Sequence, residues 1–333
     1  MMNFCTLFDS NYASKGIALY LSIEQHTDDF VLYVMGMDRK CQEILNAIGF
    51  KHMIVECIDD VDSPELAEAK SNRSRAEFCW TCGSFFTDYF LNKYNLPDIT
   101  YLDSDLMFFN SPKLIFDELE KAKASIGLSP HFIENTIFGK YCVQFVYIKN
   151  DDNGKKCLRW WRDECLGWCY SKLEDGKYGD QKYLDYFHKQ FDGVVDIENR
   201  GAGIANWNME QYAYNFEKNT IYYNEKEWPI VFFHYNGLNV NVKDGCLNFV
   251  HSKYFTKDIV EGFIRPYANL LTEVYQKYLG ITIMSFSYQS QNNWKNLLNA
   301  FWVYIRNLSF AIKLEKVYMS KKYSQRKSPY SER

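Results

Sequence analysis

Apolar and polar positions fall into blocks along the first hundred residues. Residues 4–8 form an apolar run broken only by Thr6, which predicts a buried strand, and residues 14–26 repeat apolar positions at helical spacing. A second pair follows, with a strand expected over 30–35 and a helix over 39–48. This βαβα order predicts an α/β fold with a mostly parallel sheet. A polar stretch, 59–72, precedes a long helical segment over 75–94 that stops before Leu96-Pro97. The apolar run 99–102 then leads straight into Asp103-Ser104-Asp105, so two carboxylates stand at the C-terminal edge of a central strand, where open α/β sheets bind their ligands. Further strands are expected over 143–148, 193–197 and 230–233, with a Trp-rich helix over 156–170 and a polar turn at Tyr178-Gly179-Asp180-Gln181 between the first two.

The pattern changes near residue 280. Leu297, Phe301, Tyr304, Ile305, Leu308 and Ile312 recur at three- and four-residue steps, the spacing of an amphipathic helix. Two destinations suit its apolar face: the main domain, or a membrane surface reached with the help of Trp294, Trp302 and the basic tail that follows. That tail carries Lys313, Lys316, Lys321, Lys322, Arg326, Lys327 and Arg333 against Glu315 and Glu332. The expected organisation is a single Rossmann-like domain over 1–280 and a helical, basic extension over 281–333.

The 333 residues, 47% of them hydrophobic, supply a full core. Aromatic residues make up 18%, which suits a surface that covers the apolar faces of sugar rings. The ten cysteines are scattered through a chain too long to depend on disulfides, and are expected to be reduced thiols. Cys79/Cys82 and Cys165/Cys169 sit at helical spacing, but neither has the second pair that a structural zinc site needs. A net charge of −4 argues against nucleic acid as a partner. The chain opens on a strand rather than a basic-then-apolar leader, so the expected location is the cytoplasm or the inner membrane's cytoplasmic face.

Asp103 and Asp105 alternate on a strand end and so point the same way, as a hard divalent cation that also grips a diphosphate requires. A polar strand end produces the same pattern, but here the acids are flanked by apolar 99–102 and 106–109. Carboxylates embedded in core are costly without partners, and a cation relieves that cost. His234, at the end of the last apolar run, is a further candidate ligand, and an O/O/N set suits Mn²⁺ or Mg²⁺.

Five blocks, in order, carry a resemblance: Thr6-Leu7-Phe8-Asp9-Ser10-Asn11-Tyr12, Ser74-Arg75-Ala76-Glu77-Phe78, Tyr101-Leu102-Asp103-Ser104-Asp105, Tyr178-Gly179-Asp180-Gln181-Lys182-Tyr183-Leu184 and Phe233-His234-Tyr235-Asn236-Gly237. The chain resembles bacterial GT-A glycosyltransferases, in particular those of family 8. The resemblance implies a metal-dependent transferase that moves a sugar from a nucleotide-diphosphate donor, with a UDP-sugar favoured, to a glycan or lipid-linked acceptor with retention of configuration. It implies that Asp9, Asn11 and Tyr12 hold the nucleoside, Arg75 the donor phosphate or sugar, Asp103, Asp105 and His234 the metal, and that Asp180 and Gln181 flank the transferred sugar. One block departs. Where the family carries Asn, a small residue and Gly, this chain has Cys142-Val143-Gln144, which implies that a sugar-binding amide is missing or supplied by Gln144.

Two other readings stay open at this level. A nucleotidyltransferase shares the sheet and acids, although the chain has no Gly-rich phosphate loop. A nucleotide-sugar or carbohydrate-binding protein that has lost turnover would explain residues 142–144.

Overall fold

A computed structural model describes residues 1–134 and 136–290 of the chain. The first half runs β1 (Met2–Phe8), α1 (Ala13–Glu24), β2 (Phe30–Gly36), α2 (Arg39–Ile48), β3 (Met53–Cys57), α3 (Pro64–Asn72), α4 (Arg75–Lys93) and β4 (Asp98–Leu102). It continues through β5 (Leu106–Phe108), α5 (Lys113–Lys121), β6 (Ile126–Pro130), β7 (Tyr141–Lys149), α6 (Asp152–Gly167), β8 (Val194–Asp196) and β9 (Ala202–Ala205). The central sheet has the order β3-β2-β1-β4-β7-β6-β8, and every pairing is parallel except those of β7 with β4 and β6. This is the mostly parallel α/β sheet that the blocks predict.

Both faces of the sheet are covered, which explains why β1 reads as a largely apolar run rather than an alternation. Met2, Phe4 and Phe8 pack into one core with Ile17 and Tyr20 of α1, while Cys5 and Leu7 face the opposite core with Phe86 and Phe90 of α4 and Trp161 of α6. The helix ends follow local chemistry. Asp38 caps α2 by accepting from the Cys41 amide at 2.7 Å, and Gly49 closes it in the left-handed region. Ser74 and Glu77 form a reciprocal capping box at the start of α4.

Many of these elements were not anticipated, and β3 and α3 come first among them in the chain. β3 is only half buried for most of its length, so it lacks a strong apolar signal. The polar stretch 59–72 contains α3, which starts on the Ser63 side-chain cap with Pro64 in its first turn and buries only Leu66 and Ala69.

Beyond the central sheet, β10 (Ala213–Asn215), β11 (Thr220–Tyr223) and β12 (Lys226–Pro229) form a small meander, and β13 (Phe232–His234) joins β5 and β9 in a three-stranded sheet. β14 (Asn239–Lys243), β15 (Cys246–His251) and β16 (Ser285–Ser290) form another, with β16 parallel to β15. Of the described residues past 280, Ser285–Ser290 are strand. The expected amphipathic helix and basic tail lie outside the described residues. No helix among the described residues is long and apolar enough to cross a membrane.

Candidate active site

Strand β4 ends at Leu102, and the chain turns through Asp103-Ser104-Asp105 into β5. Strand β13 pairs antiparallel with β5, setting His234 opposite Leu106. That register carries His234 across 129 residues of sequence to the acidic turn, with Nε2 3.0 Å from Asp105 Oδ1 and 3.6 Å from Asp103 Oδ2. Backbone bonds fix the turn from both sides: the Asp103 amide donates to the Gln144 carbonyl, and the Tyr235 amide to the Asp105 carbonyl.

The His234 ring is held from behind. Its Nδ1–H donates to Gln144 Oε1 at 2.8 Å, and the Gln144 amide donates in turn to Ser129 Oγ at 2.8 Å. With Nδ1 so engaged, Nε2 is the nitrogen presented to the carboxylates, the arrangement by which an outer partner orients a metal-binding imidazole. Gln144 is 0% exposed, and both ends of its amide are occupied. The expectation that Gln144 grips the donor sugar is therefore corrected: its side chain stands behind His234.

The electrostatics are those of a cation site. Burial pushes the Asp103 carboxyl up to about 7, despite the nearby His234. Burial would raise Asp105 as well, but the charge and hydrogen bond of His234, with help from Lys15, draw it down to about 2. Burial opposes the charge on His234, yet Asp105 raises the imidazole well above its ordinary value. A divalent ion suits this donor set, because it replaces the protons that otherwise reconcile two carboxylates in one buried corner. Cys142 completes the corner: one ligand atom each from Asp103, Cys142 and His234 lie within 4.8 Å of one another. Burial alone would raise the Cys142 thiol, but the imidazoles of His131 and His234 draw it down to about 6.

Two cavities meet at these residues. One, of about 390 Å³, is lined by Asp9, Tyr12, Arg75, Trp80, Asp103 and Asp105 among others. The second, of about 630 Å³, shares Trp80 and Asp103 with it and adds His131, Cys142, Asp180, Gln181, Trp207 and His234. A third, of about 1030 Å³, touches the second at Ile133, Glu134 and Trp207 and extends past Arg200, Tyr223 and Trp228.

Of the residues expected in the site, Asp9, Tyr12, Arg75, Asp103, Asp105, Asp180, Gln181 and His234 all line the first two cavities. Asp9 is already engaged, accepting from the Asn11 and Tyr12 amides and pairing with Arg75. Asn11 is exposed and lies outside the linings of these cavities. Asp180 is fixed through its carbonyl, which accepts from the buried Trp161 Nε1 at 3.0 Å. Burial, with Cys169 and Asp103 nearby, raises its carboxyl well above the ordinary range. The Gln181 amide donates to the Phe138 carbonyl and tethers the apolar loop that rims the second cavity.

Sequence reasoning missed Lys15, His131, Trp80 and Trp207 altogether. Lys15 is nearly buried at the start of α1 beside Asp105. Trp207 stands edge-on to His234 and His131, with ring centres 5.3 and 5.2 Å apart. Only Cys142 left a signal, as part of the departing block 142–144.

The chain is 30% identical over 250 residues to the uncharacterized protein YfnF of Bacillus subtilis strain 168, a match that spans 71% of this chain and 82% of that one. It belongs to the YfnF family. The uncharacterized YfnD of the same strain is also 30% identical, over 249 residues, covering 72% of this chain and 78% of YfnD. No protein-family model matches the chain. Among solved structures it is similar to the galactosyltransferase LgtC in complex with donor and acceptor sugar analogs, at a TM-score of 0.53 and 16% identity, covering 81% of this chain and 95% of that one. It is also similar to the glycosyltransferase GlyE of Streptococcus pneumoniae TIGR4, at a TM-score of 0.50 and 14% identity, covering 88% of this chain and 66% of GlyE. These likenesses show the fold, and the chain has the GT-A fold of the family 8 type that its five blocks imply.

Proposed function

We propose that this protein is a metal-dependent glycosyltransferase that moves a sugar from a nucleotide diphosphate, UDP favoured, to a hydroxyl of a glycan or lipid-linked acceptor. The observation that carries the proposal is the position of Asp103, at the junction of two cavities, within hydrogen-bonding surroundings of His234 and Asp105 in a GT-A fold. One cavity suits the nucleotide and the other the sugar, so the bond to be broken falls beside the acids.

In this reading Asp9, Tyr12 and Arg75 bind the nucleoside and phosphates, and Arg75 exchanges its pairing with Asp9 for the donor. Asp103, Asp105 and His234 would hold a divalent cation, which when bound supplies Lewis-acid neutralisation of the leaving diphosphate. Trp80 packs between the two compartments and gives the sugar an aromatic wall. Asp180, whose carboxyl burial raises well above its ordinary range, hydrogen-bonds a sugar hydroxyl. Gln181 keeps Phe138 and Ile137 over the cavity, which excludes water and disfavours donor hydrolysis.

The test is thermal stabilisation of the full chain by UDP, GDP and a panel of nucleotide sugars, each with and without divalent cation, followed by transfer assays on Asp103→Asn. Metal-dependent stabilisation by one nucleotide class, with turnover lost by orders of magnitude in the variant, supports the proposal. Full activity in Asp103→Asn overturns it. Stabilisation without turnover favours instead a nucleotide-sugar-binding protein.

A further inference from the structure

The departing block 142–144 does more than remove a sugar-binding amide. A β-bulge between β6 and β7, where pairing jumps from Leu128/Val146 to Ser129/Cys142, breaks the alternation of β7. As a result the consecutive residues Cys142 and Val143 both line the second cavity. Cys142 is 5% exposed, and its sulfur lies within 4.8 Å of ligand atoms of Asp103 and His234. Asp105 lines the first cavity and is engaged with His234 from that side. Asp103 and His234 are thus shared between a set completed by the Asp105 carboxylate and a set completed by the Cys142 sulfur.

We propose that Cys142 Sγ is a ligand of the bound cation, together with Asp103 and His234, and that the site takes zinc-like or cobalt-like ions in preference to Mg²⁺ or Mn²⁺. The inference rests on the cation site described above but not on any particular donor or acceptor.

Three observations support it. The first is ligand chemistry: a thiolate beside an imidazole and a carboxylate is a borderline-soft set, whereas Mg²⁺ and Mn²⁺ favour oxygen. The second is spacing. Octahedral ligands about 2.1 Å from an ion stand about 3 Å apart, and tetrahedral zinc ligands about 3.4 Å apart. From His234 Nε2, Asp103 Oδ2 stands at 3.6 Å, nearer the tetrahedral edge, and Asp105 Oδ1 at 3.0 Å, nearer the octahedral one, so the spacing favours zinc-like ions only for the set that contains Asp103 and Cys142. With Cys142 taking the place of Asp105 as third ligand, the three protein ligands leave a fourth position open to the cavity, the form of a catalytic rather than a structural zinc site. The third is His131, which lines the same cavity at 7% exposure and whose Nδ1 has no hydrogen-bond partner among the described residues. An orphaned imidazole beside a thiol is an outer partner awaiting a charged sulfur. Coordination exchanges the S–H bond for a sulfur–metal bond and releases one proton to solvent.

The probe is Co²⁺ alone, titrated into the full-length, reduced, metal-free protein and followed by absorption. Thiolate coordination gives a near-ultraviolet sulfur-to-cobalt charge-transfer band, separate from the visible bands that report cobalt binding of any kind. The band should appear at one equivalent, be removed by Zn²⁺, resist a large excess of Mg²⁺, and vanish in Cys142→Ser and Cys142→Ala. Zn²⁺ affinity in Cys142→Ser should fall by at least ~10-fold, the least expected for disturbing a metal site, while Mn²⁺ affinity changes little. Because the other nine cysteines could also bind cobalt, a band that persists in Cys142→Ser overturns the proposal, as does cobalt uptake with no band or no uptake at all. Should the variants misfold, mass spectrometry of Cys142 alkylation in the native protein decides the matter. Protection by Zn²⁺ but not Mg²⁺ supports coordination, and equal labelling overturns it. A thiolate band in a protein that no nucleotide stabilises would sink the transferase reading and leave this one standing. Sugar transfer with Mn²⁺ and no band would do the reverse.

Discussion

Replacing Gln144 with leucine tests whether the metal-facing imidazole is positioned from behind. The side chain is fully buried and makes two bonds of 2.8 Å, accepting from His234 Nδ1–H and donating to Ser129 Oγ. Leucine fills nearly the same volume with no polar atom, so His234 loses its acceptor and the Ser129 hydroxyl its donor. An orphaned buried group costs about 1–3 kcal/mol, with the larger end for a charged donor, and the apolar replacement recovers part of this. The net expected loss is about 2–4 kcal/mol, or roughly 4–8 °C at about 2 °C per kcal/mol for a chain of this size. Independently of stability, loss of an outer partner should weaken divalent-metal binding by about 10- to 100-fold. Trp207, 5.3 Å from the His234 ring, provides a reporter, because its fluorescence is quenched by a paramagnetic ion in the site. Titrating Mn²⁺ and Co²⁺ into the native, Gln144→Leu and Gln144→Glu proteins measures the effect, and Gln144→Glu, which keeps an acceptor, should recover much of the affinity. A folded Gln144→Leu protein with native metal affinity would refute the positioning role, and one with native stability would refute the hydrogen-bond accounting.

Two further outcomes follow from elements that carry the site. Glu56 accepts from Lys93, Tyr89 and Tyr94, and although burial raises its carboxyl, these bonds hold it below the ordinary range. Its contribution is present above the unfolded pKa of about 4.3 and is lost as pH falls through the lower folded value, so Glu56→Gln should cost about 1–3 kcal/mol near pH 7 and progressively less below about pH 4, read by urea unfolding. At Gly201 an added Cβ would lie 1.8 Å from the Pro229 carbonyl oxygen, which is backbone and cannot swing aside. Gly201→Ala should therefore cost about 3 kcal/mol or displace the start of β13, and native stability with native metal affinity would count against the described register.

The parts of the fold that were legible are those where one physical demand fixes the pattern. Residues 4–8 and 30–35 are buried on both faces and read as strands in a covered sheet; α1 is buried almost all round, whereas α2 buries one side through Cys41 and Leu45. β3 was missed because it is half exposed. For α3 the signal was present, Ser63 followed by Pro64 and Glu65, but its polar surface outweighed the cap. In the site, the carboxylates were legible because acids inside an apolar run demand an explanation. His234 was placed by resemblance, since nothing in the spacing of residues 103 and 234 shows that β5 and β13 are neighbours. Lys15 and Trp207 owe their positions to tertiary packing, which one-dimensional periodicity does not record.

Residues 142–144 show how a correct observation can lead to a wrong placement. The resemblance offers Gln144 as a substitute for a missing sugar-binding amide. The bulge opposite Ser129 changes what these residues meet: Cys142 and Val143 come to the cavity, while Gln144 turns to His234. The irregularity places residues 143–145 of β7 between two consecutive pairings of β6, and because its position depends on the partner strand it is invisible along β7 alone. The same device ties the three elements of the corner together. Asp103 is bonded through its amide to the Gln144 carbonyl, Gln144 holds His234, and His234 is set by the pairing of β13 with β5. A shift of one residue in either pairing would turn the imidazole away from the acids, so the chemistry of the cleft depends on two strand registers as much as on the identity of its ligands.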